Sequence, residues 1–375
     1  MSDIQVVEVE SAAQLKQFIN YPRKLYAGHP QYVMPLYAER REFFDKRANP
    51  FYRTAKTNLF LALRGGEVVG RIATCVSYRH NDFHNEATGF FGFFDTPDDF
   101  EIARSLLKVA MITLKKEGMD RMRGPMNFTT NHEIGFLVEG FDHPPMVMMT
   151  YNFPYQPKLA EQFGLKKCMD LLGYKLTKEQ VPSERVRRVL EARAEKSRVR
   201  IRTVDMSRFD REVEMINEVY NAAWARNWGF VPLDRAEFDY IAKGLKQVID
   251  PHIVCIAEHE GRPIGFCLAL PDINVVLKRL NGRLFPFGIL KLLWLTKIRR
   301  SIDSARLVIF GVIPEFQKQA VELMLYSETF RRGVERGYQW AELSWTLETN
   351  HLMRRASEQM QAVPYKRYRI MEMPL

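Results

Sequence analysis

The chain is poor in cysteine. It has four in 375 residues, Cys75, Cys168, Cys255 and Cys267, and no Cys-x-x-Cys pair. That pattern argues against both a zinc ribbon and a disulfide scaffold. Long apolar runs are missing too. The longest, residues 284–295, is interrupted by Lys291 and is too short to cross a bilayer. The opening MSDIQVVEVE is acidic and carries none of the apolar stretch of a secretory signal, so a reducing, cytoplasmic setting is expected. There is no Gly-x-Ser-x-Gly, no Walker phosphate loop and no Gly-x-Gly-x-x-Gly, so the usual signatures of serine hydrolases and nucleotide-binding folds are absent. His80 and His84 followed by Glu86 come nearest to metal-ligand spacing. The intervening Asn81 and Asp82 read as a loop, and no metal is expected.

What the chain does have is a hydrophobic fraction of 46% and 12% aromatics, enough for a sizeable core in two domains. The net charge is +10, and it is concentrated. Residues 273–303 hold seven basic side chains against one acid. Residues 183–202 hold eight against three. Such patches imply an anionic partner, whether lipid headgroup, phosphorylated cofactor or nucleic acid.

The two halves repeat one another. Tyr32-Val33-Met34-Pro35-Leu36 matches Phe230-Val231-Pro232-Leu233, and the Gly66-to-Gly70 turn matches Gly261 to Gly265, both 4 residues apart. Gly92 to Gly118 spans 26 residues, as does Gly311 to Gly337. Each of these intervals contains a strand end, a turn with proline and acid, and a helical pattern closed by glycine, at 100–117 and 316–336. A strand follows each glycine, at 120–125 and 339–345. Then come an asparagine (Asn152, Asn350), a helix and a last strand. Ordered landmarks of this kind indicate duplication. The expected organisation is a domain over 1–177, a linker helix over 178–202 and a second domain over 203–375 with an insertion at 273–303. The first half carries its own insertion near 127–147. Insertions on a shared scaffold are where function tends to sit.

The order hairpin, strand, Pro-acid turn, long helix, glycine, strand, asparagine, helix, strand resembles the GCN5-related N-acetyltransferase (GNAT) fold in tandem. The resemblance is clearest in Leu307-Val308-Ile309-Phe310-Gly311-Val312-Ile313-Pro314-Glu315-Phe316-Gln317 and in Ala341-Glu342-Leu343-Ser344-Trp345-Thr346-Leu347-Glu348-Thr349-Asn350. In the first half, Gly124-Pro125 and Asn131-His132-Glu133-Ile134-Gly135-Phe136 also resemble tandem acyl-CoA N-acyltransferase-like proteins. The implied fold is of the α/β (α+β) class, with mixed central sheets flanked by helices. The implied reaction is direct acyl transfer to an amine from a coenzyme A thioester or an acyl carrier protein. The resemblance assigns the donor to Phe310, Gly311, Val312, Gln317, Lys318, Gln319, Ala320 and Asn350. Free amides and the dipole at a helix N-terminus favour a diphosphate there. The family's two loop glycines are replaced here by Ala320 and Glu322. The first-half turn holds Asp98, Asp99 and Glu101, which would repel a diphosphate, so the second half is expected to hold the donor.

An attacking amine must lose a proton, and Glu348, Glu342 and His132 are the candidate bases. Asn131, Glu133, Tyr151, Asn152 and Tyr155 are candidates for acceptor contact; Asn152 also reads as an N-cap. The 273–303 insertion interleaves leucines, phenylalanines and Trp294 with Lys291, Lys297, Arg299 and Arg300. That mix suits an anionic membrane surface at the inner leaflet or the wall of an acyl tunnel, and with them a long-chain amphiphilic amine as acceptor; it equally suits an ordinary amphipathic helix packed on the domain interface, and less well a nucleic-acid surface. Two other readings stand beside this one. One is an aminoacyl-tRNA-dependent transferase of Fem-like type, the only reading in which nucleic acid is the partner. The other is a non-catalytic binding protein that retained the fold.

Overall fold

A computed structural model describes residues 4–180, 184–283, 288, 290, 294, 301–317 and 319–375. The chain forms two compact units. Unit 1 comprises Met1–Leu171, Leu277–Leu292 and Lys366–Leu375; unit 2 comprises Leu172–Val276 and Leu293–Tyr365. The sequence suggests two contiguous halves, whereas both units are discontinuous. Unit 2 is interrupted because Leu277–Leu292 belongs to unit 1, and the last strand adds a third segment to unit 1. That strand's residues Met371 to Pro374 pair antiparallel with Gly124 to Arg121, which places the chain's end in unit 1.

In unit 1 the strands are β1 (Ile4–Glu8), β2 (Ala55–Arg64), β3 (Glu67–Ser77), β4 (Thr88–Asp95) and β5 (Arg121–Gly124), joined by β15 (Val363–Pro374). Neighbours run antiparallel except β4 and β5, which are parallel. Helices α1 (Ala12–Leu25), α2 (Tyr37–Phe43) and α3 (Tyr78–His84) precede the long α4 (Phe100–Lys116). Helix α4 buries Ile102, Ala103, Leu106, Leu107, Ala110 and Leu114 against Phe60, Ile72, Phe91, Phe94 and Met122. Its apolar residues recur at three- and four-residue steps, which makes one face apolar and drives that face onto the sheet. After β5 the first-half insertion forms β6 (Met126–Asn127), β7 (Glu133–Ile134) and β8 (Phe136–Glu139). Then α5 (Tyr155–Phe163) leads into β9 (Lys166–Thr177).

Unit 2 repeats the order. It contains α6 (Glu184–Lys196), β10 (Val199–Thr203), α7 (Phe209–Trp224), α8 (Arg235–Leu245), β11 (Val254–His259), β12 (Arg262–Pro271) and β13 (Ser304–Val312). They are followed by α10 (Val321–Glu335), β14 (Trp340–Leu347) and α11 (His351–Gln359). Strands β10 to β13 pair antiparallel, and β13 pairs parallel with β14. The expected linker helix is α6, and it falls within unit 2.

Two local expectations change. The helix predicted from residue 316 starts at Val321, because Pro314–Phe316 forms a separate 3-10 turn and Ala320 takes a left-handed φ of 66°. The segment from His80 to His84, expected to be a loop, is helix α3, capped by the Ser77 side chain on the amide of His80. Of the 273–303 insertion, α9 (Asn274–Leu280) is described, as are the exposed Leu290 and Trp294. Lys291, Lys297, Arg299 and Arg300, on which the membrane expectation rests, lie outside the described residues, as does Lys318. Among the described residues no helix is long and apolar enough to cross a membrane.

Candidate functional site

Each unit contains a parallel strand pair that parts. In unit 1, β4 and β5 pair only at Thr88–Arg121, Gly89–Met122 and Phe90–Arg123, and β4 then runs on to Asp95. In unit 2, β13 and β14 pair from Ser304–Trp340 to Leu307–Leu343, and both strands then continue. A wedge between parted strands exposes main-chain amides, which is the feature a linear amide-bearing cofactor arm requires.

The two wedges are filled differently. In unit 1 the chain itself enters. A Cβ on Gly92 would stand 1.9 Å from the carbonyl oxygen of Met126, so only glycine permits this approach. The Phe93 amide donates to the Asn127 side-chain oxygen at 2.7 Å. In unit 2, side chains reach β13. The Trp224 indole donates to the Phe310 carbonyl at 2.9 Å, and the Gln317 side-chain amide donates to the Val312 carbonyl at 3.0 Å. Below the opening lies a buried polar network. Arg306 is 1% exposed and Glu342 is 0% exposed. The Arg306 Nε donates to the Ser344 hydroxyl at 2.9 Å, and that hydroxyl donates to Glu342 at 2.5 Å. The Tyr365 hydroxyl also donates to Glu342.

The helices that follow the wedges differ in the same sense. The N-terminus of α4 is capped by Asp99, whose carboxylate accepts from the amides of Glu101 at 3.0 Å and Ile102 at 3.3 Å. The N-terminus of α10 has no side-chain cap. The carboxylate cap that α4 has is therefore missing from α10, although Glu322 stands in its first turn as Glu101 does in α4.

Unit 1 holds an open cleft of about 840 Å³, counted out to its mouth. Its polar lining centres on two ion pairs. Arg71 donates to Asp95 at 2.7 Å and to the Phe18 carbonyl at 2.7 Å. Arg40 bonds Glu133, which also accepts from Asn127 at 3.2 Å. Tyr26 donates to Asp95 at 2.8 Å and stacks on Tyr32, with centroids 4.0 Å apart. Tyr32, Tyr151 and Asn152 line the same cleft.

The sequence-derived residues sort accordingly. Glu133, Tyr151 and Asn152 line the cleft. Asn152 does not cap a helix. It accepts from the Leu137 amide at 2.6 Å and donates to the Leu137 carbonyl at 3.1 Å, which pins β8. Asn131 donates its amide to the Thr129 hydroxyl, and the Tyr155 hydroxyl bonds the Thr96 carbonyl at 3.0 Å. His132 lies in a cage of Phe43, Phe51 and Phe128, where burial pushes its imidazole down to about 4. Its Nδ1 faces the amide and hydroxyl of Thr129.

In unit 2, Phe310 stacks on Tyr326 with centroids 4.3 Å apart, and Gly311 packs against Ala223 and Trp224. Gln319 bonds the Glu315 carbonyl, and Ala320 occupies the N-cap of α10. Asn350 caps α11 through the Met353 amide at 3.1 Å. Glu348 follows β14, and its carbonyl accepts from Arg354.

Sequence reasoning passed over Tyr32, Arg40, Arg71, Asp95, Asn127 and Arg306. A signal was present for two of them. Arg71 in Val69-Gly70-Arg71-Ile72-Ala73 and Arg306 in Ala305-Arg306-Leu307-Val308 are single charges within apolar strands. A charge in that setting is buried only with a partner.

No family model matches the sequence. The chain is 37% identical over 380 residues to the bacterial ceramide synthase of Caulobacter vibrioides, covering 100% of this chain and 98% of that protein. It is 34% identical over 362 residues to protein YghO of Escherichia coli, covering 96% and 92%. Among solved structures, a tandem GNAT protein from the clavulanic acid biosynthesis pathway matches its fold with a TM-score of 0.59 at 12% identity, covering 99% of this chain and 98% of the other. With relatives aligned from end to end and a tandem GNAT architecture, the chain belongs to the acyltransferase family that includes bacterial ceramide synthase, and it is an acyltransferase.

Proposed function

We propose that this N-acyltransferase moves a fatty acyl group from a coenzyme A thioester to the amine of a long-chain amino alcohol. The 37% identity to a ceramide synthase along the whole chain carries the reading. Two features of the units support its division of labour. The uncapped N-terminus of α10 and the wedge after Leu307 and Leu343 suit a diphosphate and an amide-bearing arm. The corresponding places in unit 1 are taken by Asp99 and by Met126 and Asn127.

The chemistry is one substitution at an acyl carbon. The amine nitrogen bonds the thioester carbon, the carbon–sulfur bond breaks, and the proton lost by nitrogen is taken by a base. Glu342 is poorly suited to that task, because Ser344 and Tyr365 already donate to its buried carboxylate. Glu348, half-buried just beyond β14, is the base in this proposal. The test is to incubate the purified chain with palmitoyl-coenzyme A and sphinganine, and in parallel with palmitoyl-acyl carrier protein, and to analyse products by mass spectrometry. The expected result is an amide with release of free coenzyme A. Amide from the carrier protein alone would replace the donor, and no amide from either would overturn the proposal.

A further inference from the structure

The unit 1 cleft has apolar walls, including Ile19, Val33, Met34 and Phe44, above a charged floor. On that floor each cation already faces a carboxylate: Arg71 with Asp95, and Arg40 with Glu133. A phosphate entering here would have to break a buried pair, which leaves the abandoned carboxylate uncompensated. The lining therefore disfavours anions and accepts a neutral or cationic polar group attached to something apolar.

Tyr32 is the exception to this internal pairing. Its ring is fixed by the stack on Tyr26, with planes 6° apart. Its hydroxyl lies within electrostatic reach of Asp95, Arg71, Arg40 and Glu133 together. Tyr32 is half-buried and belongs to the cleft lining, so its hydroxyl is open to whatever occupies the cleft. Burial and the two carboxylates raise its pKa, so it remains a protonated phenol able to donate and accept.

We propose that this cleft binds the polar end of an amphiphilic amino alcohol, and that the Tyr32 hydroxyl reads a hydroxyl carried beside the amine. The inference rests on the amino-alcohol reading above and adds a location and a residue that discriminates. A site that hydrogen-bonds a substrate hydroxyl rejects the analogue lacking it, because its own polar group is then left unpaired.

The test is equilibrium binding to the full chain, with a twelve-carbon 2-amino-1,3-diol and dodecylamine as probes. The wild type should bind the diol at least about tenfold more tightly, within the range for one hydrogen bond lost from a polar site. Tyr32→Phe retains the ring stack. It should reduce diol affinity to that of dodecylamine, leaving dodecylamine affinity and the melting temperature unchanged. Equal affinity for both probes in the wild type, failure to bind either, or undiminished discrimination in Tyr32→Phe would overturn the inference. Because binding is read without turnover, the two proposals fail separately. Diol binding without acylation would sink the enzymatic reading alone, and acylation with unaltered discrimination in Tyr32→Phe would sink only the role of Tyr32.

Discussion

Units 1 and 2 run through the same succession of strands and helices, yet they treat the same two places in opposite ways. After the parted strands, unit 1 fills the wedge with main chain at Met126 and a carboxamide at Asn127. Unit 2 leaves it to the side chains of Trp224 and Gln317. Main chain held in a β-pair cannot leave without breaking that pair, whereas side chains can rotate away. At the next helix, unit 1 places Asp99 on the first amides and unit 2 places Ala320 there. One copy of the duplicated fold has closed its anion-binding end and opened a polar cleft. The other has no side-chain cap at the corresponding helix end. In the proposed division of labour, the capping residue and the residue facing the wedge distinguish the donor copy, even where the loop glycines of the family are gone.

The comparison can be broken first at the buried ion pairs, Arg71 with Asp95 in unit 1 and Arg306 with Glu342, 3.9 Å apart, in unit 2. Removing one partner of such a pair leaves a buried charge, at a cost of about 3–5 kcal/mol. Asp95→Ala, which strands Arg71, and Glu342→Ala, which strands Arg306, should each lower stability by that order. The unit 2 variant should lose more, since both of its charges are fully buried; urea unfolding measures both. The proposed base comes next. Glu348→Gln should lower kcat by about a hundredfold with little change in donor KM, as expected for loss of general-base assistance. An equal rise in donor KM would instead assign Glu348 to binding.

A smaller effect separates the two helix ends. Ala320→Asp should raise donor KM about tenfold, equivalent to about 1.4 kcal/mol, because a carboxylate there opposes a diphosphate; Ala320→Asn should not. In unit 1, Asp99→Ala should cost about 1 kcal/mol of stability through the lost cap and leave donor KM unchanged. The smallest effect near neutrality is acid sensitivity. His80 and His132, both in unit 1, are held neutral by burial, each down to about 4. Their folded values lie below the ordinary value, so the stability they permit is intact above pH 6.5 and declines as pH falls from 6.5 towards 4. Each contributes about 1 kcal/mol of that loss by pH 6. His132→Asn, whose side-chain oxygen can take the Thr129 amide bond, should flatten the decline in a series of unfolding curves. An unchanged slope would remove His132 from the account.

Much of the fold is legible in the sequence because its signals are local. Glycine-to-glycine spacing, the run Phe90-Phe91-Gly92-Phe93-Phe94 and the amphipathic α4 each arise within one element. The membership of the last strand is not local. Its partner Arg121–Gly124 lies some 250 positions away, and no pattern within either segment names the other. The site divides in the same way. The first-half insertion stands out as extra sequence, and Glu133, Tyr151 and Asn152 of it and its flank reach the cleft. His132, adjacent to Glu133, turns instead into rings from Phe43 and Phe51, a cage assembled from distant segments. Tyr32 opens the repeated Tyr32-Val33-Met34-Pro35-Leu36 landmark, which marks duplication and not a site, and Arg40 follows in α2, where nothing in the local pattern distinguishes it from a surface residue.

The central claim is that unit 2, not unit 1, receives the thioester. Hydrogen–deuterium exchange of the full chain with and without coenzyme A tests it most directly, since a diphosphate bound at the start of α10 should accept from its first amides. Added coenzyme A should slow exchange at Val321, Glu322 and Leu323 and leave Glu101, Ile102 and Ala103 unaffected. Protection confined to the start of α4, with none at the start of α10, would contradict the assignment.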